Sequence, residues 1–194
     1  MEYLDVAITN RFQSHVPKGY YDPVKGHSGE DRLLAIGTEI SMPIKLKCVS
    51  IKQQPEMGLT CYLEDINGNI HVFAHNTSIN VKEGQTAEKG VVFAISGNTG
   101  SKTTAPHSHW EVITKNPSLG YRNMDRTLGE FKGFNIPPTE YVKGVVAKET
   151  KPHWSDEHFA WAISKGIVTQ KYPHAENVTW GELVSVLHKL FNSK

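Results

Sequence analysis

The stretch from Leu59 to Ala74 constrains the fold of this 194-residue chain more than any other. Two β-like runs, Leu59–Leu63 and Ile70–Ala74, flank Asp65-Ile66-Asn67-Gly68-Asn69. Asn-Gly between such runs is a strong hairpin signal, because a tight two-residue turn needs positive φ and these two residues tolerate it. Ile44 to Ile51 reads as a strand before the hairpin. Val91 to Ile95 reads as one after it, closed by Ser96-Gly97-Asn98-Thr99-Gly100. Many short strands at this spacing over residues 33–113 predict an antiparallel sheet or sandwich. Residues 115–150, rich in Gly, Pro and Asn, read as irregular structure and linker.

The pattern changes after Lys151-Pro152. Ser155 can N-cap a helix whose first turn carries Asp156 and Glu157, the sign the helix dipole favours. Phe159, Ala162 and Ile163 give it an apolar face, and Gly166 can end it. Thr179-Trp180-Gly181-Glu182 fits a capping box, and Leu183, Val186, Leu187, Leu190 and Phe191 then follow helical spacing. The expected class is α+β: a mainly antiparallel β-sheet domain over residues 1–145, a linker at 146–152, and a small helix–loop–helix domain over 153–194. About forty residues make a weak core alone, so this tail is expected to pack on a partner, on the first domain, or on a second copy, giving a homo-oligomer through the C-terminal helices.

Totals exclude several classes of function. Twenty-one basic and twenty acidic residues leave a net charge of +1 with no basic stripe, so nucleic acid is not an expected partner. No apolar run approaches the ~18 residues a membrane span needs. Met1-Glu2-Tyr3-Leu4-Asp5 has no basic region leading into an apolar run, so no secretory signal is expected and synthesis in a cytoplasm is. Cys48 and Cys61 could face each other across a hairpin, but two buried thiols are the expectation.

Histidines carry the chemistry. His107-Ser108-His109 runs into Trp110-Glu111-Val112, which favours a strand. Side chains two apart on a strand share a face, roughly 7 Å apart, whereas on a helix they diverge by about 200°. His107 and His109 can therefore reach one small site, one as a metal ligand and one as an acid or base. Upstream stand Gly26-His27-Ser28-Gly29-Glu30-Asp31 and His71-Val72-Phe73-Ala74-His75. A catalytic zinc takes three ligands from His, Asp or Glu and keeps one position open. His27, Asp31 and one histidine of the 107/109 pair make such a set. Neither His-Glu-x-x-His nor Glu-x-x-His occurs. The base is then sought in His75 and the other member of the pair. On a strand His71, Phe73 and His75 would share a face, and His71 reads as a surface histidine beside the site.

His27-x-x-x-Asp31, Phe73-Ala74-His75 and His107-Ser108-His109-Trp110-Glu111-Val112, in that order and spacing over residues 8–114, resemble the LytM/lysostaphin-type zinc endopeptidases of peptidoglycan. The framing turns Gly37-Thr38-Glu39-Ile40, Val81-Lys82-Glu83-Gly84-Gln85 and Ser96-Gly97-Asn98-Thr99-Gly100-Ser101 extend the likeness. The resemblance implies a Zn2+ held by His27, Asp31 and His109. It implies that His75 and His107 handle the water proton and steady the oxyanion. Tyr21, six residues before His27, would hydrogen-bond that oxyanion, with Tyr20 as the alternative. It implies bacterial peptidoglycan as the partner and action at the cell wall. The family more often has tyrosine at Phe73, leucine at Asn76, and Leu-His-Phe at Ser108-His109-Trp110, differences expected to bear on substrate preference.

The tail is similar to a single S-layer-homology-like unit, as found at the C-termini of phage lysins, on His153-Trp154-Ser155, Trp161 to Val168 and Val178-Thr179-Trp180-Gly181-Glu182-Leu183. Trp154 and Trp161 read as core or interface, and His153, His158, His174 and His188 as ordinary polar positions. The lysin-like tail and the expected lack of a secretory signal together favour a phage or prophage endolysin from a Gram-positive host, with a bacterial wall-remodelling hydrolase as the runner-up enzyme. The rival reading is a non-catalytic wall-binding or virion module that kept the peptidase fold.

Overall fold

The computed structural model describes residues 3–13, 26–116, 118, 125–128 and 131–150. Tyr20, Tyr21 and the tail expected to form a helix–loop–helix at 153–194 lie outside the described residues.

Among the described residues, twelve strands and one helix follow a short 3-10 turn at Tyr3–Asp5. The strands are β1 Ile8–Asn10, β2 Glu30–Arg32, β3 Glu39–Ser41, β4 Leu46–Gln54, β5 Gly58–Glu64, β6 Ile70–Asn76, β7 Ser78–Ile79, β8 Thr86–Ala87, β9 Val92–Ile95, β10 Ser108–Thr114, β11 Asp125–Leu128 and β12 Phe131–Ile136; the helix is α1 Pro138–Thr150. The expected hairpin is β5–β6, with Gly68 at φ +75° in its turn. Nine strands form one antiparallel sheet in the order β1-β2-β10-β6-β5-β4-β8, with β12 on β10 and β11 on β12. A second sheet has the order β3-β9-β7. This is the mainly antiparallel β domain anticipated, with one helix. Among the described residues no helix is long and apolar enough to cross a membrane.

Strand β10 is the organising element. Its first half pairs with β2 and its second half with β12 on one edge, while β6 runs along the other. All seven of its residues are buried. Its faces divide by the two-residue period. Trp110 stacks on Phe73 at 5.7 Å with ring planes 8° apart, and Phe73 meets Phe93 edge-on at 4.8 Å. That face carries the main core, with Leu46, Ile40, Leu63 and Val112. The other face carries His109 and Glu111, then Ile113 in a smaller cluster with Tyr62, Ile70 and Val72.

Strand β2 is three charged residues, all buried. Arg32 donates to the carbonyls of Tyr3, Leu4 and Val6 at 3.1, 3.2 and 2.8 Å and to Glu30 Oε2 at 3.0 Å. These bonds offset the large cost of taking the charges out of water.

Two expectations are corrected. Residues 115–150 are not simply irregular: β11, β12 and α1 lie there, and α1 continues to Thr150, into the stretch read as a linker. Strand β12, with Phe131, Phe134 and Ile136, forms on the open edge that β10 offers it, pairing Val112 with Ile136 and Thr114 with Phe134. His71 is not a surface residue; it is 0% exposed, stacked on Trp110 and bonded to Asp65. Cys48 and Cys61 are free and buried, as expected.

Candidate metal centre and active site

The register of β10 builds the site. His109 lies opposite Asp31 on β2 and opposite Ala74 on β6. Directly paired residues place their side chains on one face within about 5 Å. His27 joins from the segment entering β2. That segment runs hard against β10: a Cβ on Gly29 would stand 2.3 Å from the Trp110 carbonyl oxygen. Only glycine permits the approach that brings His27 and Asp31 to His109.

The three side chains converge on one point. Asp31 Oδ1 lies 2.8 Å from His109 Nδ1 and 3.2 Å from His27 Nε2, and the two ring nitrogens are 3.1 Å apart. Tetrahedral zinc, with ligands at about 2.0–2.1 Å, spaces its donors by about 3.3 Å. All three residues are buried, and among the described residues they are the one cluster of this kind able to hold a metal ion.

The hydrogen bonds behind the ligands decide what the converging atoms are. His27 Nδ1 faces the Arg11 carbonyl oxygen at 3.2 Å, so its proton sits there and Nε2 presents a lone pair. His109 Nε2 faces Glu111 Oε1 at 2.9 Å, so a proton sits there too. The centre thus gathers a carboxylate oxygen and two imidazole nitrogens around at most one further proton. A divalent cation satisfies all three donors at once, and the set fits zinc. Burial would raise the Asp31 carboxyl, but the bonds from His109 and His27 overcome it and hold it far below the usual carboxylate range. Burial likewise would lower His109, but Asp31 and Glu111 outweigh it and push it up to about 9.

His75 and His107 stand beside this cluster, their rings 4.7 Å apart. His107 Nε2 is 3.7 Å from Asp31 Oδ1, and His75 lies 6.2 Å ring to ring from His109. His107 and His109 therefore reach the same oxygen, as the strand spacing predicts. Their outer nitrogens are tied down: His75 Nδ1 donates to the Thr99 carbonyl and His107 Nδ1 to the Ala105 carbonyl, both at 2.7 Å. Each leaves Nε2 with a lone pair. Burial pulls His75 down to about 4, with the nearby His109 and His107 acting the same way and the Thr99 bond opposing. His75 is neutral at neutral pH.

His75 does not share the face of His71 and Phe73, as plain alternation requires. Its φ is +62°, and the β5–β6 register slips between Leu59 and Cys61. Its amide bonds to the Met57 carbonyl instead, and its ring swings to the metal side. The loop that supplies Thr99 is fastened to the β4–β5 turn by Ser101 to Pro55 and Lys102 to Glu56.

Phe73, Asn76 and Trp110, expected to bear on substrate preference, are each fully buried. Asn76 donates to the Leu59 and Phe73 carbonyls. Ser108 pairs with Tyr3 through their hydroxyls at 2.9 Å. All four side chains belong to the buried interior. Glu111 was missed as a site residue. It sits two beyond His109, and the spacing that links His107 to His109 reaches it as well.

A family model described as peptidase family M23 matches residues 25–120, just under half of the chain. The peptidoglycan DD-endopeptidase ShyA of Vibrio cholerae is 32% identical over 92 residues, which are 47% of this chain and 21% of that protein. The chain spans about a fifth to a quarter of the length of the curated relatives it matches. Among solved structures, the catalytic domain of the antimicrobial peptidase lysostaphin from Staphylococcus simulans superposes with a TM-score of 0.57 at 22% identity, over 72% of this chain and 93% of that one. LytU superposes with a TM-score of 0.54 at 25% identity, over 72% and 86%. The lysostaphin likeness shows the common fold.

Proposed function

We propose that this chain, matched by the peptidase family M23 model over residues 25–120, is a zinc-dependent endopeptidase that cuts peptide bonds in bacterial peptidoglycan. The observation carrying this reading is the convergence of His27 Nε2, Asp31 Oδ1 and His109 Nδ1 beside the paired imidazoles of His75 and His107. The names of the M23 relatives supply the substrate class.

His27, Asp31 and His109 are the proposed zinc ligands. Zinc, when bound, polarises the scissile carbonyl and lowers the pKa of a water toward ~7. The chain's own part is proton handling. His75 Nε2 and His107 Nε2 are acceptors, fixed so by the carbonyls of Thr99 and Ala105. Either can take the proton of the attacking water and return it to the leaving amine, and once protonated can donate to the oxyanion. Tyr21, by resemblance alone, is assigned a hydrogen bond to that oxyanion. His107, its side chain 15% exposed, is the member through which substrate reaches the pair.

The finer reading is a phage or prophage endolysin whose residues 153–194 form an S-layer-homology-like unit for wall binding or self-association. It rests on the sequence of that tail. Co-sedimentation with purified walls tests it: a chain ending at residue 150 should pellet less than the full chain, and equal pelleting removes the wall-binding role.

Zinc content and turbidity clearance of purified walls test the main proposal. One zinc per chain is expected, with clearance abolished by chelation and restored by zinc. A chain without zinc whose clearance is indifferent to chelation is not this enzyme. A chain that binds walls but never clears them is the non-catalytic module instead.

A further inference from the structure

The family match ends on both sides short of several of the groups that hold the three ligands in place. His27 Nδ1 is held by the carbonyl of Arg11, and Gln13 N donates back to the His27 carbonyl at 2.8 Å. Asp31 Oδ1 faces the centre, while its other oxygen, Oδ2, accepts from Asn10 Nδ2 at 2.9 Å. The Asp31 carbonyl accepts from Thr9 Oγ1 at 3.2 Å. His109 is held through Glu111, whose Oε1 also accepts from Ser28 Oγ at 2.8 Å and whose Oε2 accepts from Asn135 Nδ2 at 3.0 Å. Residues 9–13 come from β1 and its exit, before residue 25. Asn135 comes from β12, after residue 120.

We propose that β1 and β12 are parts of the metal site, with Asn10 and Asn135 as its positioning residues. The inference rests on the zinc reading given above. Each asparagine donates one N–H to the carboxylate oxygen that the ligand set leaves over. Asn10 takes Asp31 Oδ2 and so keeps Oδ1 turned to the cation. Asn135 takes Glu111 Oε2 and so keeps Oε1 on His109 Nε2, which fixes the tautomer that frees Nδ1. An uncharged donor does this without placing a competing charge or a further ligand in the site. Asn135 is buried and Asn10 partly so. Outer partners of metal ligands typically change affinity by 10–100-fold when removed.

The test is zinc affinity of the full chain, measured by competition with a chromophoric chelator, beside the thermal midpoint of the zinc-free protein. Asn10→Ala and Asn135→Ala should each weaken zinc binding about tenfold, and the double variant about a hundredfold, because they act on different ligands. Cobalt substituted for zinc should show a shifted visible spectrum in both. Asn67→Ala, in the β5–β6 turn where its side chain donates to Tyr141, should leave the affinity unchanged. A purely structural role would lower the zinc-free midpoint and leave the affinity of the folded protein alone. Affinities within twofold of wild type in both single variants overturn the inference. If Asn135→Ala does not fold, Asn10→Ala decides alone by the same criterion. A wild-type chain that binds no zinc overturns the functional reading instead, and this inference with it.

Discussion

Two histidine–carboxylate clusters each draw rings from β6 and β10, His75 and His109 in one and His71 and Trp110 in the other, and they differ in how lone pairs and protons balance. Around Asp31, three imidazole nitrogens stand 2.8, 3.2 and 3.7 Å from one oxygen, and their lone pairs point at a common centre. Around Asp65 there is one imidazole, and it is used up. His71 Nε2 donates to Asp65 Oδ2 at 3.2 Å, and His71 Nδ1 accepts from Trp110 Nε1 at 3.3 Å. Tyr141 donates to the same oxygen from α1, and the amides of Asn67 and Asn69 donate to Asp65 Oδ1. One cluster has acceptors in excess and calls for a cation. The other has a donor for each acceptor and fastens the hairpin to the helix. Burial and residue type are the same in both; the balance of lone pairs and protons separates them.

That contrast can be broken most directly at His109. His109→Ala should abolish wall clearance and weaken zinc binding by a thousandfold or more, whereas His71→Ala should leave zinc affinity unchanged; zinc competition on both variants decides it. Next comes His107→Ala, which should lower the turnover rate by roughly 10²–10⁴-fold while zinc stays bound. Loss of zinc there would reverse the division of labour within the pair.

The proton on His109 gives a third test. Its pKa is about 9, and the ligand form is the one without a proton on Nδ1. Zinc affinity should therefore rise about tenfold per pH unit between pH 6 and 8 and level off near 9. A flat profile would mean the metal does not displace that proton.

Smaller effects belong to the saturated cluster. Asp65→Asn should cost about 2–3 kcal/mol of stability, read as a lower thermal midpoint, with zinc affinity intact. Burial would raise the Asp65 carboxyl, but His71 and Tyr141 hold it down at about 2, against an ordinary 3.8. Its contribution is complete above the ordinary value and is lost as pH falls through about 2. Acid unfolding of the wild type should therefore steepen below pH 4, and this steepening should be missing in Asp65→Asn.

The sequence made much of the first cluster readable and almost none of the second. The Asn-Gly turn announces β5–β6, and the two-residue spacing of His107 and His109 is enough to send both rings to one oxygen. Strand β2 was invisible because Glu30-Asp31-Arg32 has no apolar residue; it is buried only because Arg32 finds three carbonyls of the N-terminal turn. His71 looked like surface because its partners are spread over residues 65, 110 and 141. Residues 115–150 read as irregular because β12 takes its edge from β10 and β11 from β12, neighbours that local composition does not encode. His75 departs from its own strand's alternation through a backbone angle that no sequence period carries.

That angle has a cost. A non-glycine residue in the left-handed region gives up about 1–2 kcal/mol, and His75 is held there by the Met57 and Thr99 bonds to its main chain. Glycine at the same place would relieve that strain but would forfeit the buried imidazole and its 2.7 Å bond to the Thr99 carbonyl. The backbone angle that carries this cost is the one that turns the His75 imidazole out of its own strand's alternation and toward the His107 ring.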